Sequence, residues 1–345
     1  MSVRRAYLDR SVGETRGVVT LDGRPERLLV ARDGDTPCRP GARYAARVRK
    51  VEPAFASAFL DLGDGVEALA SFKPDSRPVE GATVACEVRT ESRADKLATV
   101  RILGVEEGVP RLVSAAPDLE AQLREHVKDG AIVAGPEARR MADEAEAEAL
   151  ETIHPLPGGG TLAIEPTRAL VAIDVDLGER KGADAKRVTR QANLAALTVA
   201  ARLLRLKGLG GIVVIDLVGR GHDGTALLNA ARAAFAPDNP GVAIGPVGRF
   251  GTMDLSIPRR GRSLTEIVNG PDGHPSDLTL ALRMAREAET QARLDGGGQV
   301  AVDCASILEP VSAPLIARLV ETVGARVSLR THADWPRSRY EVRTS

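Results

Sequence analysis

The sequence predicts a mixed α+β and α/β chain of several subdomains, and three observations carry that reading. Five short apolar segments crowd into the stretch from Ala42 to Gly104, a density that suits a small barrel of the OB type inserted near the N-terminus. Between Thr161 and Val218 a strand, a long helix and a second strand follow in turn, as in a crossover unit whose two strands are neighbours or near-neighbours in one sheet. The tail from about Asp277 reads helix, strand, helix, strand, a small C-terminal α/β unit.

Composition bounds the function. With 345 residues, 43% of them hydrophobic, the chain can hold two or three domains with sizeable cores. No apolar run approaches the ~18 residues of a membrane-spanning helix, so no membrane partner is expected. The opening "MSVRRAYLDR" puts charges where a signal peptide needs its apolar stretch, and the expected location is the cytoplasm. Cys38, Cys86 and Cys304 are far apart and odd in number, which offers neither a disulfide framework nor a zinc knuckle; they read as small core residues. The 47 basic and 47 acidic residues cancel, so a nucleic-acid partner must be sought in the distribution of charge.

Taken in order, "TRGVVTL" and "ERLLVA" flank the turn "DGRP" and form a hairpin. The barrel strands are "YAARVRKVE", "SAFLDLG", "VEALASF", "ATVACEVRT" and "LATVRIL". From Val105 to Gly160 the chain is polar and partly helical, with "EARRMADEAEAEALETI" as a solvated helix closed by "PLPGGG". A second hairpin, "TLAIEPTRALVAIDVD", leads to Asp184, which can cap a helix with Val188, Ala192, Ala195, Val199 and Leu203 at helical spacing. That helix ends at "KGLGG" and feeds the strand "GIVVIDLV". An Ala-rich helix from Gly224 to Phe235, then "GVAIGPV" and "RFGTMDLSIPRRGR", complete the central region. The tail adds the strands "QVAV" and "RVSLR", the helix "APLIARLVETVG" and a strand-like "SRYEVR".

The candidate chemistry sits at two strand ends. "VAIDVD" and "VVIDLV" each end an apolar run with a carboxylate, Asp174 and Asp216, and Asp176 shares a face with Asp174 at i+2. Mg²⁺ takes one or two protein carboxylates and leaves its other positions to water and phosphate oxygens, and such an ion can activate water against a phosphodiester. The competing reading is that each aspartate only caps the turn after its strand. Downstream, residues 200–262 hold nine basic residues against four acidic ones, a positive wall suited to a polyanion; within it Arg249, Arg259 and Arg260 are poorly explained by a solvated helix face. Three of the five phenylalanines, Phe55, Phe59 and Phe72, fall in the barrel beside Arg47, Arg49, Arg93 and Lys96. Single-strand binders combine aromatic and basic residues in this way, although core packing is expected to account for at least two of the three rings. The histidines are scattered, with no zinc or triad spacing, and "GHDG" reads as a turn.

At these residues the chain resembles the ribonuclease E/G family. The resemblance lies in "RALVAIDVDLG", "RQANLAALTVAARLLRLKGLGGIVVIDLV" and "GRFGTMDLSIPRR", in order and spacing. The barrel stretch "YAARVRKVEPAFASAFLDLGDGVEALASFKP", the opening "ETRGVVTLDG" and the tail "RVSLRTHADWPRSRYEV" are also similar. The resemblance implies a Mg²⁺-dependent endoribonuclease of single-stranded RNA, with Mn²⁺ as the alternative ion and no zinc. It implies a shortened RNase H-like subdomain from residues 1–41 with 105–160, the RNA-binding barrel at 42–104, a DNase I-like catalytic subdomain at 161–270 and a small α/β domain at 271–345. Asp174 and Asp216 match its metal-binding aspartates, Phe59 and Lys96 its RNA-contacting barrel positions, and Arg93, Arg249, Arg259 and Arg260 are the further RNA-binding candidates. Three departures are visible: Asp176 replaces an asparagine that orients the site, Leu69 replaces a second barrel aromatic, and "GAIVAGPEA" has Ala134 and Gly135 where an Arg-Thr pair senses a 5′-phosphate. The cysteine pair of the family's shared zinc is absent after "RSLTEIV", so oligomers would form without a zinc link. The expectation is a minimal member acting in RNA processing or decay. Its rivals are a catalytically silent RNA-binding protein on the same fold and a metal-dependent DNase or phosphatase.

Overall fold

Three antiparallel strands open the chain in the computed structural model, which describes residues 3–93, 96–180, 184–221, 223–236 and 241–345. They are β1 (Arg4–Ser11), β2 (Glu14–Leu21) and β3 (Arg24–Arg32), and the turn at Asp22–Gly23 joins the expected hairpin. β1 is an addition to that hairpin: its first residues are charged, yet Ala6, Tyr7, Leu8 and Asp9 are all buried.

The barrel follows. β4 (Arg43–Glu52), β5 (Ser57–Asp61), β6 (Glu67–Ser71), β7 (Thr83–Thr90) and β8 (Ala98–Val105) pair in the cycle β4-β5-β6-β8-β7-β4, with β6 and β8 parallel. This closes a five-stranded barrel, the OB-like arrangement that strand density predicts. Its core is built from small and medium residues, Ala46, Ala58, Ala68, Ala70, Leu60 and Val88 among them, with Cys38 and Cys86 inside. Burial pushes the Cys38 thiol up to about 11 and that of Cys86 to about 12, so both are inert packing groups, as composition suggested. A sixth strand, β9 (Arg111–Ser114), hangs on the edge of β4.

Next come α1 (Leu119–Val127), β10 (Ile132–Ala134) and α2 (Pro136–Leu150). β10 runs parallel to β1 and completes a four-stranded sheet in the order β10-β1-β2-β3. Leu119 and Leu123 of α1 cover one face, against Ala6, Leu8 and Val19. The solvated-helix expectation for α2 is overturned: Ala138, Ala142, Ala145 and Ala149 form a buried stripe against the other face. Alanine buries little area per residue, which is why the charged positions dominate the local pattern.

The central sheet has six strands in the order β11-β12-β13-β14-β16-β15. They are β11 (Ile153–Pro155), β12 (Thr161–Pro166), β13 (Val171–Asp176), β14 (Gly211–Asp216), β15 (Ala243–Val247) and β16 (Thr252–Ile257). Between β13 and β14 runs α3 (Ala185–Lys207), which starts where expected: the Asp184 carboxylate accepts from the Lys186 and Arg187 N–H groups. The two strands are parallel neighbours, so the crossover is realised. The buried stripe of α3 centres on Ala192, Ala196, Leu197, Ala200 and Leu204, leaving Ala195 and Val199 half-buried at its edge. α4 (Gly224–Phe235) follows β14, and α5 (Leu264–Val268) follows β16. One core joins this sheet through α2 and α3 to the first sheet, with Leu162, Ile173, Val213 and Met253 on one side and Tyr7, Val18 and Leu28 on the other. Among the described residues, helices therefore cover only one face of the six-stranded sheet, and its other face is open.

The C-terminal unit is α6 (Asp277–Leu294), β17 (Val300–Ala305), α7 (Glu309–Val323), β18 (Val327–His332) and β19 (Tyr340–Thr344), with β17 central between β18 and β19. Buried ion pairs tie α6 to the first sheet: Arg286 pairs with Glu14, and Arg139 of α2 bridges Asp9 and Glu289. Among the described residues no helix is long and apolar enough to cross a membrane.

Candidate active site and nucleic-acid interface

Alternation along β13 decides where its aspartates point. Val171, Ile173 and Val175 are buried under α3, so Asp174 and Asp176 lie on the open face, and both are exposed. On β14, Val213 and Ile215 are buried and Asp216 is exposed on the same face. The parallel register sets Asp174 directly beside Asp216. Neighbouring strands are about 4.8 Å apart, so two carboxylates stand side by side at the carboxyl ends of two parallel strands, where open α/β sheets place their ligands.

Nothing in the described part of the chain neutralises them. Neither Asp174 nor Asp216 makes a hydrogen bond or ion pair with a described residue, so the turn-capping reading fails for both. It holds for Asp176, whose Oδ1 accepts from the Gly178 N–H at 2.5 Å. That turn packs tightly against the "PLPGGG" loop: a Cβ on Gly160 would fall 2.3 Å from the Asp176 carbonyl oxygen. Arg180 fastens the same loop by donating from Nε to the Gly159 carbonyl at 2.6 Å. Among the described residues no three His, Cys, Asp or Glu side chains converge as a metal cage. Two adjacent carboxylates that face water and have no partner among the described residues nevertheless fit Mg²⁺, which keeps most of its shell as water and phosphate oxygen.

The loop after Asp216 is held from behind by Asn193, buried on α3. This residue was not singled out from the sequence. Its signal was a polar side chain on the apolar flank of the helix, between Ala192 and Ala196.

Arg249 and Phe250 form the tip of the β15–β16 turn. Register places Thr252 opposite Asp216, and the Gly251 carbonyl accepts from the Leu217 N–H at 3.2 Å, so this tip stands at the carboxylate end of the sheet. Arg259 and Arg260 follow the far end of β16, roughly 20 Å away at about 3.3 Å per residue. There the barrel docks: the Glu91 N–H donates to the Arg260 carbonyl at 3.0 Å, and Arg262 pairs with Asp35 and Glu91. Arg93 and Lys96 bridge each other's backbones in the same barrel loop. Burial, and then the charge of Arg259, lower the pKa of the Arg93 guanidinium, which places the two cations together. Arg259 is engaged by Glu266, while the Arg260 side chain is exposed.

Part of the basic wall is dismantled, while Arg220 and Arg232 stay exposed. Arg202 pairs with Glu148, Arg205 with Glu26, and Lys207 is buried on backbone carbonyls, so all three are struts between α3 and its neighbours. Phe59 sits on the outer face of the barrel in one row with Leu69 and Thr99. With Phe55, Arg49 and Lys50 it lines a cleft of about 490 Å³. Of the three barrel rings only Phe72 packs on the core, and Phe55 is 79% exposed, which reverses the core-packing expectation for two of them.

Comparison with known proteins gives this geometry its context. Ribonuclease E of Haemophilus influenzae is 37% identical over 118 residues, covering 32% of this chain and 12% of that protein. Ribonuclease E of Escherichia coli is 36% identical over 114 residues, covering 32% of this chain and 11% of that protein. A chloroplastic ribonuclease E/G-like protein of Arabidopsis thaliana is 33% identical over 122 residues, covering 34% and 12%. The matched stretch is thus about an eighth or less of each of these relatives. The model of the ribonuclease E/G family matches residues 111–260, from β9 to the end of the "IPRR" loop. That span holds Asp174, Asp176 and Asp216 with the crossover that pairs them, and through it residues 111–260 of this chain belong to the ribonuclease E/G family.

Proposed function

We propose that this chain is a Mg²⁺-dependent endoribonuclease of single-stranded RNA that works in RNA processing or decay. The observation that carries the reading is the register of β13 and β14, which sets the carboxylates of Asp174 and Asp216, unpaired among the described residues, side by side on an open sheet face. These two residues would hold the ion, Mg²⁺ or Mn²⁺. Bound there, it supplies charge stabilisation to the phosphodiester and makes water a nucleophile near neutral pH. Asp176, held by Gly178, adds a third negative charge to the same face in place of an amide donor.

In this reading residues 161–270 act as the DNase I-like catalytic subdomain, and residues 1–41 with 105–160 as a shortened RNase H-like support. RNA runs from the barrel cleft at Phe59, past Lys96, Arg93, Arg259 and Arg260, across the open face to the carboxylates and Arg249. Cations at both ends and a ring in the barrel suit a flexible strand, because backbone charge and base faces are both accessible. Products would carry a 5′-phosphate and a 3′-hydroxyl.

The test is incubation of 5′-labelled single-stranded RNA with and without Mg²⁺, wild type beside Asp174→Asn. Cleavage that needs both the ion and Asp174 supports the proposal. Binding undiminished in EDTA with no cleavage under any condition would identify a silent RNA-binding protein instead.

A further inference from the structure

We propose that Phe250 is a base-stacking residue of the cleavage site, receiving the nucleobase next to the scissile phosphate on its free ring face while Arg249 holds the other face. The inference rests on the reading of Asp174 and Asp216 as that site. Phe250 is 79% exposed in a chain with only five phenylalanines, and it is absent from every hydrophobic core of the protein. A lone exposed apolar side chain is common on protein surfaces and carries no account of its own.

Three features give it one. The Arg249 guanidinium lies 4.7 Å from the ring centroid, so one face is already covered by a cation. Arg249 has no hydrogen-bond or ion-pair partner among the described residues, which leaves its donors for a phosphate. The turn itself is hydrogen-bonded and indexed to the carboxylates. The Gly251 N–H donates to the Gly248 carbonyl at 3.0 Å, the Gly248 N–H to the Thr252 carbonyl at 2.8 Å, and the Leu217 N–H to the Gly251 carbonyl at 3.2 Å. The backbone that carries the ring is therefore tied to the strand end at Asp216, and a strand whose phosphate reaches the carboxylates brings a neighbouring base within its reach. A base stacked on Phe250 must be unpaired, so the ring would help to select single-stranded sites.

The experiment first maps one cleaved bond in a 5′-labelled RNA. The same RNA is then made with an abasic nucleotide on either side of that bond, and each is cut by wild type, Phe250→Ala and Phe250→Trp under Mg²⁺. Expected is a fall of about tenfold in kcat/KM for Phe250→Ala on the intact RNA, in line with the worth of one base stack. Phe250→Trp restores the rate, and wild type and Phe250→Ala cut one of the two abasic RNAs equally slowly. Wild-type cleavage with Phe250→Ala unchanged overturns this inference alone, as does a Phe250→Ala defect that persists in full on both abasic RNAs. Absence of wild-type cleavage overturns the nuclease reading, and this inference with it.

Discussion

Asn193 grips the backbone of Val218 in both directions: its side-chain amide donates to the Val218 carbonyl at 3.0 Å, and its side-chain oxygen accepts from the Val218 N–H at 3.1 Å. Val218 lies two residues beyond Asp216, so a fully buried side chain on the crossover helix sets the exit path of the strand that carries a candidate metal ligand. Asn193→Ala strands a peptide N–H and C=O at once, which should cost about 1–3 kcal/mol of stability. Cleavage should fall further than the folded fraction does, with RNA affinity in EDTA unchanged. Urea denaturation beside single-turnover cleavage checks this; a wild-type rate in folded Asn193→Ala would remove Asn193 from any positioning role.

Asp174→Asn and Asp216→Asn should each abolish cleavage while leaving RNA affinity within a few-fold, since carboxylates repel phosphate and binding comes from cations and rings. Asp176→Asn is different. An asparagine Oδ1 can accept from Gly178 as the carboxylate does, so the turn survives while one negative charge is replaced by an amide donor. Asp176→Asn is expected to match or exceed wild type, whereas Asp176→Ala should be slower. If Asp176→Asn proves as dead as Asp174→Asn, Asp176 is itself an essential carboxylate.

What the sequence revealed, and what it hid, divides along the range of the interactions. The five barrel strands and the β13–α3–β14 crossover were legible because their apolar runs are bounded locally by Gly, Pro and Asp. β9 was not, since all four of its residues are exposed and only pairing with β4 makes it a strand. The inward turn of Arg202 and Arg205 was equally hidden: their partners, Glu148 and Glu26, lie 54 and 179 residues away, and composition cannot pair charges across such distances. In the candidate site the aspartates were visible as strand-end carboxylates. The separation of Arg259 and Arg260 from them was not, because it depends on β16 running antiparallel to β14.

The same long-range pairing has an energetic signature. Arg16 is 1% exposed and meets Asp9 at 2.6 Å and Glu146 at 3.0 Å, the latter 130 residues along the chain. Arg16→Ala leaves those carboxylates buried without this partner and should cost about 3–5 kcal/mol. Arg10→Ala removes an exposed pair with Glu120 and should cost less than about 1 kcal/mol. Denaturant midpoints of the two variants that coincide would show that the buried network carries no special weight.

Lys207 gives a pH signature. Its Nζ donates to the Ala149 carbonyl at 2.8 Å and to that of Glu151, at the C-terminal end of α2. Burial lowers its pKa from 10.5 to about 8, against the upward pull of Glu148 and Glu151 and with a further push down from Arg202. Between those two values the unfolded chain holds a proton that the folded chain has released, so stability rises with pH across the window. The full gain is on the order of 3 kcal/mol. Below about pH 8 both states carry the proton and the contribution is level. The difference in unfolding free energy between wild type and Lys207→Met should therefore grow in favour of wild type from pH 8 towards pH 10.5. A difference that stays level would mean that the buried ammonium keeps its proton.

The last expectation concerns the 5′ end of the RNA. Where the family resemblance leads one to look for an Arg-Thr pair, β10 ends at Ala134, and Gly135 caps α2 with no side chain and φ at +78°. The nearest substitute in sequence is Arg139, and the structure removes it: its Nε donates to Asp9 at 3.1 Å, and its two Nη atoms to Thr290 at 3.0 Å and Glu289 at 2.8 Å. Freeing that guanidinium for a phosphate would leave the buried Asp9 and Glu289 short of a partner, a cost that a solvent-exposed terminal phosphate does not repay. Arg140 is exposed, yet a lone surface arginine gives a weak and unoriented contact. RNAs that differ only in carrying a 5′-monophosphate, 5′-triphosphate or 5′-hydroxyl should therefore be cut at rates within a few-fold of one another. A monophosphate preference of about tenfold, roughly 1.4 kcal/mol in the transition state, would show that a sensor is built elsewhere. Its loss in Arg140→Ala would then place that sensor on α2.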